Sequence, residues 1–146
     1  MRRSIAIAAL VLAGGSASAE QGQAHFAVAV TVPVRVVLEV IDQPARLTLS
    51  AEDVARGYKD VSARYRVRHN DRHGYLLQIA PRAGITSRIE VHGLGAEMAL
   101  RDEVLDVRRP GAAFEQELTL EFRFVLDAAA RPGTFELPVN VAAAPI

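Results

Sequence analysis

Two long stretches of the chain keep apolar residues at nearly every second position, and they organise the rest of the reading. From residue 26 the even positions are Phe26, Val28, Val30, Val32, Val34, Val36, Leu38 and Val40, while the odd ones include Thr31, Pro33, Arg35 and Glu39. A period of two predicts strand. At about 3.3 Å per residue the run would reach about 50 Å, far beyond a usual strand of about 17 to 20 Å. Pro33 lacks an N–H and cannot sit inside a paired ladder, so the run is expected to divide there into strands at 26 to 32 and 34 to 40. The second stretch is 114 to 126. Phe114, Leu118, Leu120, Phe122, Phe124 and Leu126 share one parity, and Glu115, Glu117, Glu121 and Arg123 the other.

Between these runs lie shorter signals. Ser50 followed by Glu52 and Asp53 reads as a helix N-cap with acids in the first turn, and Gly57 ends a helical turn near 51 to 56. Ala63, Tyr65 and Val67 point inward and Arg64, Arg66 and Arg68 outward. The segment 70 to 74 is a turn, residues 75 to 80 are a strand, and the pair reads as a hairpin. Short strands are expected near 87 to 92, 96 to 100 and 104 to 108. Pro132 and Gly133 suit the central positions of a type II turn, leading into a last strand through Phe135, Leu137, Val139, Val141 and Ala143. About seven to nine short strands with almost no helix read as an all-β antiparallel sandwich.

The first nineteen residues fit none of this. Arg2 and Arg3 precede an apolar run over 5 to 13, and Ala17, Ser18 and Ala19 have the small-x-small form that signal peptidase cleaves. Residues 1 to 19 therefore read as a cleaved signal peptide, too short in its apolar run for a retained membrane span. Residues 20 to 146 are then one domain of 127 residues (146 less 19). With Arg2 and Arg3 removed, 15 basic residues (17 less 2) stand against 17 acidic ones, a net charge of −2. Nucleic acid, which selects a strongly basic face, is not an expected partner. There is no cysteine, so stability must come from the core alone. Lys59 is the only lysine among 17 basic residues, a bias that fits a GC-rich bacterial genome. The expected address is the periplasm, the cell surface or the medium.

The alternating start at 25 to 32 and the ending through Pro132, Gly133, Thr134 and Phe135 into the strand around Val139 and Val141 resemble subunits of chaperone-usher pili and spore-coat-U-like proteins. That resemblance implies an immunoglobulin-like sandwich lacking its final strand, completed by the amino-terminal segment of the next subunit. It makes Phe26, Val28, Val30 and Val32 the donor side chains, by β-strand addition. It also implies protein partners: identical or related subunits and a periplasmic chaperone. The chain departs from the family pattern in having no disulfide and no aromatic among its last residues. A different reading makes 26 to 40 one strand of the chain's own sandwich, changing sheets at Pro33.

Side chains suited to chemistry are few. His25, His69, His73 and His92 are the possible bases, and no serine sits in a nucleophile-elbow pattern. His69, Asp71 and His73 bracket a loop rather than sharing a helix face, and read as solvated turn residues. Asp102, Glu103 and Asp106 read as a solvated strand end. No catalytic residue, cofactor or metal is assigned. Arg64, Arg66 and Arg68 are candidates to bind an anion, against the alternative of cross-strand ion pairs with Glu115, Glu117 and Glu121. The sequence reading is thus an exported, non-enzymatic structural or adhesive subunit of a bacterial surface or fimbria-like assembly. The alternative is a monomeric periplasmic or secreted module that binds a glycan or a partner protein.

Overall fold

The alternation along the chain resolves into two facing antiparallel sheets in the computed structural model, which describes residues 27–146. The leader-like residues 1 to 19, His25 and Phe26 lie outside the described residues. Ten strands and one short helix follow in order. They are β1 (Val36–Asp42), β2 (Arg46–Leu49), α1 (Ala51–Arg56), β3 (Tyr58–His69), β4 (Tyr75–Pro81), β5 (Thr86–His92), β6 (Met98–Leu100), β7 (Leu105–Arg109), β8 (Glu115–Leu126), β9 (Gly133–Glu136) and β10 (Val139–Pro145). One sheet has the order β1-β3-β8-β5-β6, the second β10-β4-β7, and β2 pairs with β9 in a small ribbon. The protein is an all-β antiparallel sandwich.

The core is built by parity. Ala63, Tyr65 and Val67 of β3, Ile89 and Val91 of β5 and Leu118, Leu120, Phe122 and Phe124 of β8 are buried on one inner face. Tyr75, Leu77 and Ile79 of β4 and Val139 of β10 are buried on the other. Full burial of each such apolar side chain is worth about 1.5 to 3 kcal/mol before chain entropy is charged against it. The two most enclosed tyrosines keep their hydroxyls satisfied: Tyr65 donates to Gln43 Oε1 at 2.9 Å and Tyr75 to Gln116 Oε1 at 2.9 Å.

The helix has a full capping box. Ser50 Oγ accepts from the Asp53 backbone N–H at 3.1 Å, and Asp53 Oδ2 accepts from the Ser50 N–H at 3.0 Å. Gly57 closes it in the left-handed conformation at φ 80°, donating to the Asp53 and Val54 carbonyls.

Four expectations are corrected. Residues 63 to 68 and 75 to 80 do not form a hairpin: β3 pairs with β1 and β8, and β4 with β10 and β7. The turn at 70 to 74 carries the chain from one sheet to the other, so the inward rows of β3 and β4 meet across the core. The last strand is two strands. Pro138 cannot donate to a ladder and separates β9, which pairs with β2, from β10, which pairs with β4. The reversal before β9 is at 127 to 130, where Ala130 N donates to the Asp127 carbonyl at 3.0 Å and Asp127 Oδ1 accepts from Ala129 N at 3.0 Å. Gly133, at φ 157°, has the near-extended backbone of a strand residue and not the conformation of a type II turn. Phe114 shares the inward parity of β8 but precedes the strand and is 63% exposed.

Six of the ten strands can be laid on the immunoglobulin scheme, and β2, β6, β7 and β9 have no place in it. β1, β3, β8 and β5 take the places A, B, E and D of one sheet, and β10 and β4 the places F and C of the other. β6 and β7 extend the two sheets at the far side. In that scheme a strand G lies beside F. Among the described residues no strand holds that place, and β10 is an edge.

Candidate functional site

The predicted strand at 26 to 32 is not formed. Residues 27–35 carry no strand, and pairing begins at Val36, opposite His69, the last residue of β3. Just before Val36, Arg35 and Pro33 meet the turn that follows β3 and not a strand. Asn70 closes the register. Its Oδ1 accepts from Arg35 N at 2.7 Å, its Nδ2 donates to the Pro33 carbonyl at 2.8 Å, and its own N–H donates to the Arg35 carbonyl at 3.2 Å. The single strand changing sheets at Pro33 is likewise not observed. Val28, Val30 and Val32 are 82%, 77% and 69% exposed. Three valines at alternate positions thus carry the signature of a buried strand face without being in a strand.

A complementary deficit lies at one side of the sandwich, where β1 and β10 run past each other from opposite sheets. The inward row of β1 is Val36, Leu38 and Val40, opposite His69, Val67 and Tyr65. Val67 and Tyr65 are fully buried, yet Val36 and Leu38 are only half-buried and Val40 is 52% exposed. The inward row of β10 behaves likewise: Val139 is buried, Val141 and Ala143 are half-buried. An inward residue stays exposed only where the opposite sheet fails to cover it. Beside β10, an edge strand among the described residues, there is no further strand to add cover at this side. Sequence parity marks Val40 as inward, but its exposure depends on which strands end the two sheets, which periodicity does not encode.

The arginine row is spent on ion pairs. Arg64, Arg66 and Arg68 do share the outer face of β3. Arg66 donates to Glu117 at 2.7 Å and lies 3.6 Å from Glu115, Arg68 reaches Glu39 at 3.4 Å, and Arg64 faces Asp42 at 3.8 Å. The hydrogen bond to Glu117 raises the pKa of Arg66 further above its ordinary value. Partners therefore come from β1 as well as β8. Glu121 is not among them, since it sits opposite Ser62 and His92. Exposed pairs of this kind contribute about 0 to 1 kcal/mol each.

His69 is not a solvated turn residue. It continues the inward row of β3, is 6% exposed, and packs against Tyr75 at 5.2 Å and Phe114 at 6.0 Å between ring centres. Asp71 accepts from His73 N at 2.8 Å, which shapes the turn. His73, Asp102 and Glu103 are exposed, and Asp106 accepts from Gln78 Nε2 at 3.1 Å. The structure brings none of these together with a serine or with one another in a way that would activate a nucleophile. Among the described residues no helix is long and apolar enough to cross a membrane.

No family model, curated protein or solved structure matches this chain.

Proposed function

We propose that the protein is an exported, non-enzymatic structural subunit of a bacterial surface or fimbria-like assembly. In this reading residues 26 to 32 of one copy add as a strand to β10 of a neighbour. One observation carries it: an edge strand, β10, flanked by half-buried inward residues and the exposed Val40, occurs in the same chain as an alternating apolar segment whose described residues form no strand. The lengths agree, since 26 to 32 is seven residues and β10 is seven residues. Burying Val28, Val30 and Val32 would supply about 5 to 9 kcal/mol gross, at about 1.5 to 3 kcal/mol each, with ladder hydrogen bonds added. That sum covers the lower part of an association cost of about 4 to 15 kcal/mol, and Phe26 and the backbone would add to it. Export rests on the leader-like residues 1 to 19. A periplasmic chaperone would cover the open edge before assembly, because an unpaired apolar edge invites aggregation.

The pairing of Arg64, Arg66 and Arg68 with carboxylates leaves the alternative, a monomeric binding module for a glycan or partner protein, with less to work with. The test is the molar mass of residues 20–146 by light scattering after size exclusion, beside a version beginning at Pro33, which keeps the Asn70 hydrogen bond. A ladder of oligomers that collapses to folded monomer on truncation is expected. A full-length protein that is monomeric at every concentration, or a truncated one that unfolds, would remove the proposal.

A further inference from the structure

A second feature lies on the outer face of the five-stranded sheet, away from the open edge. Arg88, Glu90 and His92 alternate outward along β5, while Ile89 and Val91 between them are buried. The chain then reverses through Gly93 and Gly95, both left-handed at φ 100° and 94°, into β6. Val91 pairs with Met98 and Glu90 with Ala99, so the same register sets Glu97 opposite His92. On the other side His92 pairs with Glu121 of β8. An imidazole is thus flanked by carboxylates on both neighbouring segments and by Glu90 two residues along its own strand.

Ligand-type atoms of Glu90, His92 and Glu97 all lie within 4.8 Å of one another. Among the described residues no salt bridge joins His92 to either glutamate, while Glu90 pairs with Arg88 and lies opposite Arg123. We propose that Glu90, His92 and Glu97 bind a divalent cation of the zinc type, with one imidazole nitrogen and two carboxylate oxygens as ligands. Zinc takes such mixed nitrogen and oxygen sets at about 2.0 to 2.2 Å, which places tetrahedral ligand atoms about 3.4 Å apart. Closing from 4.8 Å needs only side-chain rotation of half-buried and exposed groups. Arg88 Nη2 holds Glu90 Oε1 at 2.5 Å, which leaves Oε2 for the metal and fixes the carboxylate as an outer-shell partner does. A shallow hollow of about 480 Å³, lined by Asp60, Ser62, His92, Glu121 and Arg123 among others, adjoins the cluster. It offers room for water at a remaining coordination position. Bound there, the ion clamps the three-residue edge strand β6 and the glycine turn onto β5.

The experiment is a zinc titration of the tag-free full chain by calorimetry, with thermal unfolding in parallel. One equivalent of Zn²⁺ is expected to bind and to raise the melting temperature by several degrees. His92→Ala is expected to abolish both effects, and Glu97→Gln to weaken binding at least tenfold, while His73→Ala leaves binding unchanged. Because both key side chains point outward, the variants are expected to fold. Absence of saturable binding up to about 1 mM, or wild-type affinity in both His92→Ala and Glu97→Gln, would overturn the assignment. So would loss of binding in His73→Ala, which would move the site to the β3–β4 turn.

Discussion

If one copy donates a strand and another accepts it, the two halves of the junction can be broken separately and then recombined. Val30 is an inner member of the four proposed donors and is 77% exposed, so nearly its whole side chain would be desolvated on insertion. Val30→Asp forfeits about 2 kcal/mol of that transfer. It also asks a carboxylate to enter an apolar slot, at a cost of at least about 2 kcal/mol more. Together about 4 kcal/mol corresponds to nearly a thousandfold loss of affinity. Val40 lies on the acceptor side with about half its surface already covered. Val40→Asp therefore forfeits about 1 kcal/mol of transfer plus the same charge penalty, more than a hundredfold in all. Neither residue is in the core, so folding stability should change by no more than about 1 kcal/mol. Each variant alone should be a folded monomer by light scattering. An equimolar mixture should form a dimer and stop there, because the intact arm of the Val40→Asp protein can enter the intact edge of the Val30→Asp protein, while the reverse junction is doubly broken. Only a head-to-tail contact behaves this way. A mixture that stays monomeric, or single variants that still form the wild-type ladder, would refute the reasoning.

Three further outcomes test the fold itself. A Cβ at Gly74, which has φ 97°, would overlap the Arg109 carbonyl oxygen, whereas one at Gly57, at φ 80°, meets nothing; Gly74→Ala should cost at least about 3 kcal/mol and Gly57→Ala about 1 kcal/mol by urea unfolding. Burial pushes the Tyr65 hydroxyl up to about 12, so its contribution is whole below pH 10, the unfolded value, and is lost as pH rises towards 12. Tyr65→Phe should lose about 1 kcal/mol at pH 8 with the Gln43 hydrogen bond, yet decline less steeply than wild type between pH 10 and 11, as urea midpoints would show. Lys59, with the Ser50 and Arg56 bonds, holds the Asp53 carboxyl below the usual carboxylate range, so its stabilisation is present above about pH 4 and is lost as pH falls below it; Asp53→Asn should flatten the acid limb of the stability profile measured by circular dichroism.

What the sequence made legible was the facing of side chains, because a period of two is a local property of strand geometry. Leu118, Leu120, Phe122 and Phe124 were readable as core for that reason, and Ser50, Asp53 and Gly57 as a capped helical turn from their local hydrogen-bonding chemistry. Pairing was not legible, because it is a property of which backbone edges meet. Residues 63 to 68 and 75 to 80 have the pattern of a hairpin, yet two strands that bury the same parity can face each other across a sandwich equally well, and they do. His69 shows the same limit from the other side: its neighbours read as a turn, but it keeps the parity of Tyr65 and Val67, and the opposing sheet encloses it. Glu90, His92 and Glu97 were invisible as a group because the register between β5 and β6, not spacing along the chain, sets the third beside the second. The segment 26 to 32 is the sharpest case. Its alternation states that one face should be buried, and the end of β3 at His69 denies it a partner in the sheet that β1 joins. A strand pattern without a strand, beside a sandwich with an open edge at β10, is a conflict between local preference and the observed fold, and such conflicts concentrate where proteins work. Strand addition from a second copy, as proposed, would remove the conflict at both ends with the same seven residues.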